Sequence, residues 1–150
     1  MKYLKEELSD KEWNVCYEKF LKEFDQIAPR LPNSFLNEFN KYHMHDNIVQ
    51  SIFIKREALK KRYRYDLHMK LLDYHDNNLT HSLIFKNIKN LKADLNFVFA
   101  GNCDWIYCEI LPVDEVYLSL EVLLFDNSTL YFEFSRLHYK KIKTDNKGGV

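Results

Sequence analysis

The chain has 150 residues, 46% of them apolar, and its 22 basic and 22 acidic side chains cancel. That length fits one domain large enough to bury a core without disulfide staples. Only three glycines are present, two of them Gly148 and Gly149, which leaves Gly101 alone in the body of the chain. A phosphate-cradling loop needs several residues without a Cβ, so neither a P-loop nor a dinucleotide fingerprint can be drawn here.

Ser9 followed by Glu12 spells a capping box. Behind it Trp13, Cys16, Tyr17, Phe20, Leu21, Phe24 and Ile27 recur at helical spacing until Pro29 and Pro32 stop the pattern. A second, shorter helix is predicted from a cap at Asn33 or Ser34, with Phe35, Leu36, Phe39 and Tyr42 inward. It ends before the turn-forming His45-Asp46-Asn47. The hydrophobic period then changes from 3.6 to 2. Ile48, Ile52 and Ile54 mark one face of a strand, with Val49 and Phe53 on the other. Tyr63, Tyr65, Leu67, Met69 and Leu71 alternate with polar residues in the clearest half-buried strand.

Leu79 to Ile88 return after an Asp76-Asn77-Asn78 turn, and Asn90 to Asn102 read as a short helix or an irregular crossover. Trp105 to Leu111 form a strand ended by Pro112. Val116 to Leu124 alternate strictly, and a hairpin turn at 126–128 leads back through Leu130, Phe132 and Phe134. The inward parity shifts after Ser135, as a bulge near Arg136 would require. The predicted fold is α+β: two N-terminal helices on one face of a meandering antiparallel sheet of about five or six strands. Residues 1–142 form that single domain, and 143–150 a flexible C-terminal tail.

No apolar run approaches 18 residues, and the charged start, Met1 to Glu7, lacks a signal-peptide core. Cys16, Cys103 and Cys108 are odd in number and match no zinc spacing, so a cytoplasmic protein with reduced thiols is expected. Cys103 and Cys108 have acidic neighbours, Asp104 and Glu109, which disfavour a reactive thiolate.

Charge is distributed unevenly. Residues 93–135 hold no Lys or Arg against eight acids, whereas 55–92 hold ten bases against four acids. Acidic and basic strands pairing across one sheet would explain this, as would an acidic surface kept for a basic partner. Lys55 to Tyr65 interleaves bases with tyrosines and is the one candidate for gripping nucleic acid. Because the domain as a whole is neutral, nucleic acid is not expected as a partner.

Two sets of residues carry candidate chemistry. Tyr107, Glu109, Tyr117, Glu121, Tyr131 and Glu133 fall on or beside the strand faces opposite the core rows and suit a partner-binding patch of tyrosines and carboxylates. The carboxylates of Glu109, Glu121 and Glu133 offer acid–base chemistry as the alternative, and decoration of a solvent face is the favoured reading. His43, His45 and Asp46 are the only compact group of metal-ligand types, with His68, His75, His81 and His138 as distant complements. That group supports the alternative of a small metal-dependent hydrolase. The expected cofactor complement is none, and no catalytic residue is assigned.

Leu31-Pro32 leading a short helix, Tyr42 with His45-Asp46 closing it, the Trp105-Ile106-Tyr107-Cys108-Glu109 strand and the hairpin to Phe134 occur together in this chain. In these landmarks it resembles small α+β proteins of Gram-positive bacteria, including some similar to immunity proteins of polymorphic toxin systems. The resemblance implies an accessory or protective role in the cytosol and carries no catalytic residues with it. The expected function is therefore a non-enzymatic protein-binding module, an immunity-like inhibitor in its sharpest form. The partner is a basic protein, a homodimer is left open, and no membrane is involved.

Overall fold

A computed structural model describes residues 1–5, 7–42, 44–95, 104–125 and 127–143. Helix α1 spans Asp10–Ile27 behind the Ser9 cap. The Ser9 amide and hydroxyl both donate to Glu12 Oε2, at 3.0 and 2.6 Å. Phe20, Phe24 and Ile27 are its buried stripe. A single 3₁₀ turn, Ala28–Arg30, contains Pro29 and leads to α2, Asn33–Tyr42. Phe35 and Phe39 are buried on α2, and Phe39 stacks on Phe24 of α1 at 4.9 Å. Met44 and Asp46 take positive φ in the turn that follows, which short loops allow at modest strain.

Eight strands follow: β1 Ile48–Ala58, β2 Tyr63–Leu72, β3 Leu79–Lys86, β4 Lys89–Asp94, β5 Trp105–Pro112, β6 Leu118–Leu124, β7 Thr129–Phe134 and β8 Arg136–Lys143. They form two four-stranded antiparallel sheets, ordered β1-β2-β3-β8 and β4-β7-β6-β5. The α+β class stands, but the expected single sheet of five or six strands is corrected to two sheets of four. The cause lies at two breaks. Asn87 adopts positive φ between β3 and β4 and Asn90 within β4, where the register shifts between Lys89 and Lys92, and Ser135 interrupts β7 and β8. The long ribbon β3–β4/β8–β7 therefore passes from the first sheet into the second, held by Ser135 N–H donating to Lys86 O at 3.0 Å. The parity change expected near Arg136 is this break.

The helices are also placed differently from the expectation of one shared face. Helix α1 lies against β5 and α2 against β8, the edge strands of the two sheets, where helices blunt open pairing edges. Of the stretch expected as a helix or crossover, 96–102 lie outside the described residues, and the first part, 90–94, belongs to strand β4. All six of its residues are exposed, so its sequence carries no alternation and pairing with β7 defines it. In β1 a register shift between Val49 and Ser51 brings both Val49 and Ile52 against the core, where simple alternation separated them. Strand β8 reaches Lys143, one residue past the expected domain boundary; 144–150 lie outside the described residues.

One face of each sheet feeds a common core, including Leu67, Met69 and Leu71 of β2 and Leu120 and Val122 of β6. Phe85 of β3 meets Phe132 and Phe134 of β7 edge-on at 4.8 and 5.0 Å, which locks the sheets together. The opposite faces are polar and unlike in charge. Strands of the first sheet carry nine Lys or Arg and two acids; strands of the second carry two Lys and four acids. Basic and acidic strands thus segregate instead of alternating across one sheet. The only cross-strand ion pair described in the second sheet is Lys89–Glu133.

Candidate partner surface

Period-2 alternation sets Tyr107, Glu109 and Leu111 opposite the buried Cys108 and Ile110 on β5. Antiparallel register then lines up Glu109, Glu121 and Tyr131 across three strands, with Ser119 and Glu133 in the next row. Five of the six patch residues share this polar face. Tyr117 precedes β6 and joins them through Lys89, whose ammonium sits 3.7 Å above its ring.

The carboxylates are not equivalent. Glu109 is 1% exposed and accepts backbone N–H groups from three successive residues: Lys2 and Tyr3, each at 2.7 Å, and Leu4. A charged acceptor is what three converging amide dipoles require, so the segment 2–4 straps over β5. Glu133 is 7% exposed and accepts from Asn90 Nδ2 and the Tyr131 hydroxyl, both at 3.0 Å, with Lys89 Nζ at 3.3 Å. The Asn90 bond leads in holding its carboxyl below the ordinary range, against burial, with Tyr131 and Lys89 adding to it. In return, burial and then Glu133 push the Tyr131 hydroxyl upward.

Glu121 differs, with a side chain 32% exposed and one oxygen 2.7 Å from the Met1 amino group. With Thr129 it forms the shared wall of two recesses of about 300 and 350 Å³. Met1, Leu4 and Lys5 are among the residues that close one, and Lys92, Asp94 and Tyr131 the other. Tyr107 packs between Trp13 of α1 at 6.1 Å and His45 at 5.8 Å. The patch therefore divides into an interior part, Glu109 and Glu133, and an open part centred on Glu121 and Tyr131.

The His43, His45 and Asp46 group resolves in part. His43 lies outside the described residues, and His45 Nδ1 is 2.9 Å from Asp46 Oδ1 within the turn. Glu38, His45, Asp73, His75 and His81 do border one recess, but its volume of about 20 Å³ has room for roughly one water. Among the described residues no three His, Cys, Asp or Glu side chains are arranged to hold a metal ion. His68 and His138 belong to the polar face of the first sheet instead. Cys103 is outside the described residues, and burial drives the Cys108 thiol up to about 12, far from the range of a nucleophile.

Two arrangements escaped the sequence. Buried His81 bridges Asp73, at 2.8 Å from Nε2, and the Tyr139 hydroxyl, at 2.6 Å from Nδ1. Burial alone would raise the Asp73 carboxyl, but His81 and the amides of His75 and Asp76 hold it low. Asp66 is fully buried on the polar side of β2, which the alternation there assigns to solvent. No spacing signal announces either, because each is assembled from different strands or loops. No helix among the described residues is long and apolar enough to cross a membrane. In comparison with known proteins, the chain matches no family model and no curated sequence.

Proposed function

We propose that this chain is a protein-binding module for a basic partner, with an immunity-like inhibitor as the most specific form of the reading. The observation that carries it is Glu121, a carboxylate one-third exposed on a central strand, with one oxygen on the Met1 amino group, standing between two recesses. A partner Arg or Lys entering either recess meets that carboxylate at its wall. Tyr131 supplies contact area with few rotors to freeze, and the sheet presents both residues on a rigid frame. The neighbouring Glu109 and Glu133 contribute field at this surface while their oxygens stay committed within the fold.

Capture from a lysate of the native host, using wild type beside Glu121→Lys, tests the reading. Glu133→Lys is the less informative reversal, because it inserts a cation among Lys89, Asn90 and Tyr131. The partner bound by wild type is expected to be absent from the Glu121→Lys sample, with unchanged circular dichroism. Recovery of the same proteins by both samples removes the acidic-surface reading.

A further inference from the structure

The polar face of the first sheet has the opposite construction. Register places Phe53, His68, Ile84 and His138 in one row across all four strands. The Phe53 ring stacks on His68 at 4.6 Å and 14°, yet Phe53 remains 48% exposed. It is an aromatic plate supported from one side and open on the other. In the neighbouring row Lys86 pairs with Arg136, and Asp66 is buried beneath them. Asp66 accepts from Lys86 Nζ at 2.8 Å and from the Asn87 amide at 2.9 Å, and Arg64 Nε lies 3.0 Å away. Glu57 also pairs with the Arg64 guanidinium, so two carboxylates fix these two cations in place, and the excess of bases on the sheet keeps the face positive. These cations, with Arg62, Arg136 and His138, border a groove of about 530 Å³ at the point where the sheets diverge.

We propose that this face binds single-stranded nucleic acid, its phosphates following the groove of Arg62, Arg64, Lys86 and Arg136 and a base stacking on Phe53. Fixed cations beside an open aromatic plate match a chain that alternates phosphates with unstacked π-faces. A duplex hides its base faces and would use only the cations. An acidic peptide would likewise leave Phe53 and Ile84 without a counterpart. Neutrality of the whole chain is no obstacle. A ligand meets the local field, and most of the acids that cancel the sum lie in the N-terminal segment and in residues 93–135, outside this sheet. The proposal does not rest on the partner reading given to Glu121.

Fluorescence anisotropy with labelled dT15 and U15, across salt, is the test, with a 15-base-pair duplex, inorganic polyphosphate and a poly-Glu peptide as competitors. Wild type is expected to bind the single strands best, with a slope of log K against log salt near about −3 for four neutralised phosphates. Phe53→Ala should weaken binding about tenfold at an unchanged salt slope, as loss of one stacked base requires. Arg136→Glu should weaken it at least as much and flatten the slope by about 1. Lys22→Glu, exposed on α1, should change nothing. Circular dichroism confirms that each variant is folded. The proposal is overturned if wild type fails to bind either oligonucleotide in 50 mM salt (roughly the low end of the usual range). It is equally overturned if polyphosphate, duplex or peptide competes better than single strands, or if Phe53→Ala binds as wild type does.

Discussion

The two sheets bury the same kind of apolar row and differ in what lies behind it. On the second sheet carboxylates outnumber cations, and the deficit is filled from within: backbone amides of residues 2–4 satisfy Glu109, and Asn90, Tyr131 and Lys89 satisfy Glu133. On the first sheet cations are in excess, and the buried Asp66, with Glu57 on the other end of Arg64, organises two of them without neutralising the face. A buried charge survives only when its partners are fixed. Fixing them consumes most of the charge on one sheet and displays it on the other. Chain-wide neutrality conceals that contrast, because it averages two surfaces that no ligand meets together.

Removing the anchor on each side separates the two constructions. Glu109→Ala leaves three N–H groups without their charged acceptor and frees the strap across β5, at an expected cost of about 3 kcal/mol in urea unfolding. A loss under about 1 kcal/mol would mean that water replaces the carboxylate easily and that the strap is not fastened there.

Asp66→Asn should cost less, about 1–2 kcal/mol, because Lys86 and Arg64 are part exposed and the amide oxygen still accepts one bond. Its clearer signature is in acid. Burial alone would raise the Asp66 carboxyl, but Lys86, the Asn87 amide and Arg64 outweigh it and hold the group below its ordinary 3.8. A depressed folded value gives stability that is complete above the unfolded value and lost as pH falls through the folded one. The urea midpoint should therefore stay level down to about pH 5 and drop below about pH 4. Asp66→Asn should flatten part of that drop. Glu133 and Asp73, also held low, contribute to the remainder, together with the more exposed Glu12, Glu23, Glu38, Glu57 and Asp114.

Much of this fold is legible in the sequence where local chemistry and burial agree. The Ser9–Glu12 box, the Phe20–Phe24–Ile27 stripe and the alternation of β2 and β6 each name their element. The Ser135 break is legible too, as a slip of parity between Phe134 and Leu137. Strand β4 is not, because an edge strand exposed on both sides has no burial to impose a period. The division into two sheets is equally silent, since it depends on Asn87 in the β3–β4 connection and Asn90 inside β4 at positive φ, and an asparagine carries no such instruction by itself.

The site was legible as a set of neighbours and not as a set of roles. Alternation placed Glu109, Glu121 and Glu133 on one face, which the register bears out. Which of them stays open depends on a strap more than a hundred residues away in sequence and on the Asn90 side chain. Likewise, the basic run from Lys55 to Tyr65 pointed to a cationic surface. Its completion by Lys86 and Arg136 comes from strands that the run does not contain.

The most direct test of two unlike faces is one NMR experiment, in which ¹⁵N-labelled protein is titrated first with dT15 and separately with an oligo-arginine peptide. The account predicts that dT15 shifts Phe53, Arg64, His68, Ile84 and Arg136 and leaves Glu121 and Tyr131 in place. The peptide should do the reverse. Shifts that map to the same residues with both ligands, or oligonucleotide shifts confined to the second sheet, would contradict it.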